Sequence, residues 1–159
     1  MNFIKSILTM VLIMTGTAVY AVEAVNTFGA GGSFFSDPDR TGVAIKGTDT
    51  VAYFTQNKPV PGKDEFSMSW KSAKWKFSSK ENLELFKANP EKYAPQYGGY
   101  CAYGVAKDNL VKIEPELFTI LDGKLYLNYD ADIMAKWKKD PKGYIKIADE
   151  KFNSLIKGK

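Results

Sequence analysis

The fold is decided by one stretch, Trp75–Gly104, which reads W-K-F-S-S-K-E-N-L-E-L-F-K-A-N-P-E-K-Y-A-P-Q-Y-G-G-Y-C-A-Y-G. Its first residues alternate as half of a hairpin, and its middle predicts an amphipathic helix. Ser78 stands three residues before Glu81, which is the spacing of a capping box, and Pro90 is predicted to end the helix. The stretch closes on a segment rich in glycine and tyrosine that holds Cys101, the only cysteine.

Further hairpin signals lie on both sides of this stretch. Phe66, Met68 and Trp70 alternate with serines, which predicts a strand with one buried face. Asp122-Gly123 separates two apolar runs, and this dipeptide suits a two-residue type I′ turn. The short apolar run 51–54 predicts either a strand or a buried turn.

Helix signals follow the second hairpin. Asp130 is predicted to cap a helix that stops before Pro141, and a last amphipathic helix is predicted over 142–156. The pattern as a whole predicts an α+β fold, a small single domain of short antiparallel hairpins packed with helices.

The chain also resembles itself. A shift of about 51 residues lays Trp75 on Tyr126, Phe86 on Trp137 and Pro90 on Pro141. Both blocks then read hairpin, cap, helix, proline. One hypothesis is that two ββα units pack together, and the other is that two copies of a common motif agree by chance.

Composition excludes several classes of function. The chain has 159 residues, 45% of them hydrophobic and 25% charged, which is typical of one globular domain. Its net charge of +4 comes from lysines scattered among acids, so we predict no nucleic-acid partner. The absence of histidine removes histidine general bases and imidazole metal ligands, and a single cysteine removes any intramolecular disulfide or Cys-rich zinc site.

The first residues predict export. Lys5 precedes an apolar run, and small residues then offer cleavage after Ala21 or after Ala24. The run is shorter than the ~20 residues that span a bilayer, which favours a cleaved signal peptide over a retained anchor. We therefore predict a signal peptide at 1–24, an irregular segment at 25–42 and a folded domain at 43–158. The expected location is periplasmic or secreted, with membrane contact only through the export signal.

Several blocks resemble the exported YHS-domain proteins. They are V-A-I-K-G-T-D-T-V-A-Y-F from Val43, L-F-K-A-N-P-E-K-Y-A-P-Q-Y-G-G-Y-C-A-Y-G from Leu85, and D-G-K-L-Y-L-N-Y from Asp122. The resemblance extends over 43–155. The chain departs from the pattern in having Gly47-Thr48-Asp49-Thr50 where such proteins usually have Gly-Tyr-Asp-Pro.

The resemblance also implies a test for a metal site. The wider superfamily includes modules that hold metals through cysteines, and the matching positions here are Ala52, Ser78 and Asn82. None of these is a thiolate, so the resemblance implies the fold and these residues argue against the metal function. We therefore predict no metal at these positions and no cofactor, and we assign Ser78 a structural role as a helix cap.

Cys101 and its neighbours are the candidate site. Two glycines allow close backbone approach, and tyrosines could line a small pocket. The alternative is that Cys101 packs as a small buried hydrophobe. The candidate ligand-binding residues are Cys101, Tyr97, Gly98, Gly99, Tyr100 and Tyr103.

Three functions are compatible with this segment. The leading hypothesis is a non-catalytic exported module that binds a small ligand or a protein partner. The alternative is a periplasmic copper- or thiol-handling protein that uses Cys101, with Met68 or Met134 as a further soft ligand. The third is an enzyme with Cys101 as nucleophile, activated without histidine. The sequence names no catalytic residue beyond that.

Overall fold

The computed structural model describes residues 24–28 and 42–157. The predicted signal peptide, apart from Ala24, lies outside these ranges, as does most of the predicted irregular segment. No helix in the described ranges is long and apolar enough to cross a membrane. The helices and strands are α1 (Thr50–Gln56), β1 (Lys63–Trp70), β2 (Ala73–Phe77), α2 (Lys80–Ala88), α3 (Pro90–Tyr93), α4 (Ala102–Ala106), β3 (Glu114–Leu121), β4 (Lys124–Asn128), α5 (Ala131–Trp137) and α6 (Pro141–Lys157).

Two antiparallel hairpins, β1–β2 and β3–β4, carry the architecture. Each turns through two residues with positive φ, at Lys71 (48°) and Ser72 (61°) and at Asp122 (51°) and Gly123 (73°). Both pairs have the left-handed backbone of a type I′ turn, which matches the right-handed twist of the strands. The α+β prediction, with short hairpins packed by helices, is confirmed.

The prediction for the apolar run 51–54 is wrong. The run lies in α1, which begins after Asp49, and Asp49 accepts hydrogen bonds from the amides of Val51 and Ala52. Thr50 to Tyr53 are all buried, so the run has no polar face and lacks the period that would mark a helix.

The predicted capping residue of α2 is wrong by one position. Ser79 accepts the hydrogen bond from the Asn82 amide, and Ser78 instead directs both its amide and its hydroxyl to Asp49. Adjacent serines both offer a capping side chain, and the tertiary contact with Asp49 decides between them.

The self-resemblance extends to the strand pairing. A shift of 51 residues (63 to 114) carries β1 onto β3 and β2 onto β4 at both ends. The register irregularity between Lys63 and Ser67 recurs between Glu114 and Phe118. Each hairpin is followed by a side-chain-capped helix, α2 or α5. The hypothesis of two ββα units agrees with this arrangement.

The core forms two clusters, and the larger one contains buried residues of both hairpins. Trp75 and Phe86 pack with ring centroids 5.0 Å apart in the first, and Tyr126 and Trp137 lie 5.4 Å apart in the second. Residues 25–28 are buried against the turn at Gln96–Gly99. This short strap brings the N-terminal part of the described chain beside the candidate site.

Candidate functional site

The two glycines of the candidate site are needed by the chain itself. Gly98 has φ +61°, and a Cβ there would lie 1.9 Å from the carbonyl oxygen of Ala24. Gly99 has φ +81°, and its Cβ would lie 2.1 Å from Cδ1 of Ile45. The amide and side chain of Asn26 donate to the Gly98 and Gly99 carbonyls. The close approach that glycine allows here is to the strap and the core.

Cys101 lies in the core with no exposed surface. Its thiol donates to Oδ1 of Asn128 at 3.7 Å, and its sulfur accepts from the Gly104 amide at 3.4 Å. Burial raises the pKa of the Cys101 thiol, which favours the protonated form. The Lys107 ammonium lies over the rings of Tyr103 and Tyr144.

The predicted tyrosines separate into different environments. Tyr100 is fully buried, and its hydroxyl donates to the Val25 carbonyl at 3.5 Å. Tyr103 packs against Tyr144, with the ring centroids 5.0 Å apart and the rings tilted by 59°. Tyr97 alone directs its hydroxyl toward an open cleft, where it donates to Asp149 at 2.8 Å.

That cleft has a volume of about 460 Å³, within the range of small-molecule sites. One wall is the tip of the first hairpin with α3, and the floor is the segment 94–98. The opposite wall is one side of α6, with Asp149, Phe152, Asn153 and Ile156. Aromatic rings from all three parts line it, and these are Trp70, Trp75, Tyr97 and Phe152.

The charges in the cleft are two carboxylates and one ammonium. Lys71 is engaged on both sides, because its Nζ lies 2.9 Å from Glu91 and 4.3 Å above the Trp70 ring. Asp149 is exposed and has no lysine in ion-pair range within residues 24–28 and 42–157. Burial, with the hydrogen bond and charge of Asp149, raises the pKa of Tyr97 far above its usual value, so this hydroxyl stays a donor.

The structure therefore brings two of the six candidate residues, Tyr97 and Gly98, to the cleft. Gly99, Tyr100, Cys101 and Tyr103 are not among its lining residues. Sequence reasoning missed Trp70, Asp149 and Phe152. Both Asp149 and Phe152 lie on the last helix. Phe152 is part of the apolar face that the sequence pattern assigns to the core, and nothing local marks Asp149 as functional.

A second polar centre lies under the first hairpin. The Asp49 carboxylate is fully buried. Its Oδ1 accepts from the amides of Val51 (2.9 Å) and Ala52 (3.3 Å). Its Oδ2 accepts from the Ser78 amide (2.8 Å), the Ser78 hydroxyl (2.6 Å) and the Asn82 side chain (2.7 Å). Five donors satisfy this anion without a cation.

This centre contains the three positions at which the superfamily resemblance implies metal ligands. Ala52 offers only a methyl group and its amide. The Ser78 hydroxyl and the Asn82 amide both direct hydrogens at Asp49, as donors and not as ligands. No group of three His, Cys, Asp or Glu side chains able to hold a metal ion occurs in the described part of the chain. The residues present do not fit a metal, and Asp49 supplies the negative charge at this place.

The fold and this centre define a small α+β module built on hairpin-helix units. Residues 51–97 match the YHS domain family, and the chain carries a YHS domain at these positions. No curated protein and no solved structure matches the chain significantly.

Proposed function

We propose that the protein is an exported, non-catalytic binding module whose ligand site is the cleft between the first hairpin and α6. The observation that carries this proposal is the cleft itself, about 460 Å³ with aromatic rings on every side. Apolar clefts of this size with a few convergent polar groups are the usual form of a small-molecule site. Tyr97 and Asp149 are the convergent polar groups here.

The charges favour an organic cation as the ligand. Lys71 is neutralised by Glu91, which leaves the Asp149 carboxylate as the unbalanced charge. An amine placed beside Asp149 would gain an ion pair, and its apolar body would contact Trp70 and Phe152. Aromatic faces also attract cations, which adds to the same preference. The proposed ligand class is therefore a primary or substituted amine attached to an apolar or aromatic group.

The alternative function, copper or thiol handling through Cys101, has no open site in the described part of the chain to support it. Such a function requires Cys101 to reach metal or reagent, and the sulfur lies in the core with its bonds made to Asn128 and Gly104. Enzymatic use of Cys101 would meet the same obstacle.

The test is a titration followed by two-dimensional NMR of the uniformly ¹⁵N-labelled protein. The probes are phenethylamine and phenylacetate, which share an aromatic ring and differ in charge. We expect phenethylamine to shift the Gly98 amide and the Trp70 indole signals saturably, in about the millimolar range for so small a ligand. Phenylacetate should bind more weakly. Absence of saturable shifts at these signals with both probes would overturn the proposed site.

Asp149→Asn is the informative variant, because asparagine keeps an acceptor for the Tyr97 hydroxyl and removes the charge. We expect phenethylamine to bind about fivefold more weakly, as for the loss of one partly exposed ion pair of about 1 kcal/mol. Asp132→Asn removes an exposed carboxylate outside the cleft and is the matched control. Equal affinities for both variants would contradict the assignment of an amine.

Export is part of the proposal and has its own test. Intact-mass measurement on the protein from the periplasm or the medium should show loss of residues 1–21 or 1–24. A full-length mass in the cytoplasmic fraction would contradict it.

A further inference from the structure

The self-resemblance continues upstream of the hairpins, where no sequence pattern indicates it. The turn Ala44–Gly47 has left-handed residues at its second and third positions, and so has the turn Gln96–Gly99. A short helix follows each turn, α1 after Asp49 and α4 after Cys101. The shift here is 52 residues (49 to 101), and it becomes 51 beyond α4, which is shorter than α1.

The backbone hydrogen bonds obey the same shift. Thr48 N–H donates to Ile45 C=O at 3.0 Å, and Tyr100 N–H donates to Tyr97 C=O at 3.0 Å. In the next position, the Asp49 amide donates to Val60 at 2.8 Å and the Cys101 amide donates to Val111 at 3.2 Å. Such agreement in tertiary bonds is not expected from two unrelated uses of a hairpin-helix motif.

The side chains of Asp49 and Cys101 also have equivalent surroundings. Asp49 accepts from the amide three residues on, Ala52, and from the amide that follows β2, Ser78. Cys101 accepts from the amide three residues on, Gly104. The backbone of Tyr129, which follows β4 as Ser78 follows β2, acts on the Cys101 thiol in the direction that lowers its pKa. Both residues are fully buried N-caps.

A second cleft lies beside the second hairpin, and Asp149 lines both clefts. The second cleft has a volume of about 490 Å³ and lies against Tyr126, the counterpart of Trp75. Asp122 and Lys142 line it, and they are the counterparts of Lys71 and Glu91 in the first cleft.

We propose that the chain contains a second YHS-type unit, at about 102–148, and that Cys101, directly before it, occupies the position that Asp49 has before the first unit and acts as a structural helix cap. The family match ends at residue 97 and does not cover this unit. The unit has diverged where Asn82 and Ser78 of the first unit are replaced by Ile133 and Tyr129. The proposal does not depend on the ligand assigned to the cleft.

The proposal makes a prediction opposite to that for an ordinary buried cysteine. If Cys101 is only a small hydrophobe, valine should replace it better than serine, because burying a hydroxyl costs free energy. If Cys101 caps α4 as Asp49 caps α1, serine should replace it better than valine, because serine accepts from the backbone amides and valine cannot.

The experiment compares thermal unfolding of four full-length variants, C101S, C101V, D49S and D49V. We expect the serine variant to have the higher Tm at both positions, with a larger difference at Asp49, which has more donors. Ala102→Ser, buried one residue into α4, is the control and should lower the Tm relative to wild type. A higher Tm for C101V than for C101S would overturn the proposal.

A second measurement holds even if a variant fails to fold. Amide hydrogen exchange of the wild-type protein should show the Asp49 and Cys101 amides among the slowly exchanging ones, since both residues are fully buried and both amides donate to backbone carbonyls. Fast exchange at Cys101 alone would contradict equivalence of the two units.

Discussion

The sharpest test of the Asp49 centre is Asp49→Asn, because this change keeps the shape of the side chain and its ability to cap. Asparagine is about as good an N-cap as aspartate, so loss of capping alone predicts almost no change in stability. Any large effect must then come from the second carboxylate oxygen. Asp130→Asn is the matched control, since Asp130 also caps a helix and accepts from the Ile133 amide at 2.7 Å.

The expected loss of stability for Asp49→Asn depends on which hydrogen-bond donors around the side chain can reorient. With one carbonyl oxygen left to accept from Val51 and Ala52, an NH₂ group would face Ser78 and Asn82. The Ser78 hydroxyl and the Asn82 amide can rotate to present oxygen, and the Ser78 backbone amide cannot. One buried N–H left unsatisfied costs about 1–3 kcal/mol, and the remaining bonds lose the strength that the charge gives them. We expect a loss of about 3 kcal/mol for Asp49→Asn and less than about 0.5 kcal/mol for Asp130→Asn.

Urea denaturation of both variants, followed by tryptophan fluorescence and by circular dichroism, measures the two losses. For a domain of this size the expected loss at Asp49 corresponds to a fall in Tm of about 6–12 °C. Unchanged m-values would show that the denatured state is not responsible. The reasoning is refuted if Asp49→Asn is no more destabilising than Asp130→Asn.

Other predictions concern packing, ionisation and reactivity. Gly98→Ala should cost more stability in urea than Gly123→Ala, because both have positive φ and only Gly98 meets a backbone atom, the Ala24 carbonyl. Burial raises the pKa of Tyr53 well above 10, so its contribution is complete at neutral pH and is lost as the pH rises beyond the unfolded pKa of about 10; wild type should therefore lose stability more steeply than Tyr53→Phe above pH 10. Cys101 should react with a thiol reagent in denaturant and stay unlabelled in native buffer, and rapid native labelling would show the burial to be wrong.

The predictable parts of this fold are those encoded by neighbouring residues. The Asp122-Gly123 turn, the cap at Asp130 and the stop before Pro141 each depend on a few adjacent side chains, and each occurs as expected. Helix α1 could not be predicted from the sequence pattern, because its first residues are all buried. Without a polar face, the run lacks the alternation of apolar and polar residues that indicates a helix.

The Asp49 centre could not be predicted from the sequence for a different reason. Asp49 stands directly before α1 and caps it. Its other partners, Ser78 and Asn82, lie 29 and 33 residues away. An aspartate before a helix is so ordinary that nothing in the sequence marks it as the acceptor of three further bonds. Only the fold shows that the positions implied as metal ligands surround it.

The candidate site shows that locally unusual residues can mislead. Gly98, Gly99 and Cys101 stand out in sequence because small residues together suggest close approach by a ligand. Small residues are also suited to places where two segments of one chain pack closely, and here Gly98 and Gly99 accommodate Ala24 and Ile45. The unusual residues therefore indicated a closely packed place, without indicating whether a ligand or another segment of the chain packs there.

The cleft arises from the difference between the two units. Pro90 and Pro141 are equivalent, yet α3 ends at Tyr93 and α6 continues to Lys157. The additional turns of α6 bring Asp149 and Phe152 opposite the first hairpin. The shorter helix of the first unit, α3, has no equivalent of these turns. If the proposed ligand binds there, the site is absent from a lone YHS unit of the length that 51–97 defines, because Asp149 and Phe152 of its opposite wall lie on α6, outside that range. The binding function would then depend on the chain beyond the matched unit, and substitutions within 51–97 alone would not reproduce it.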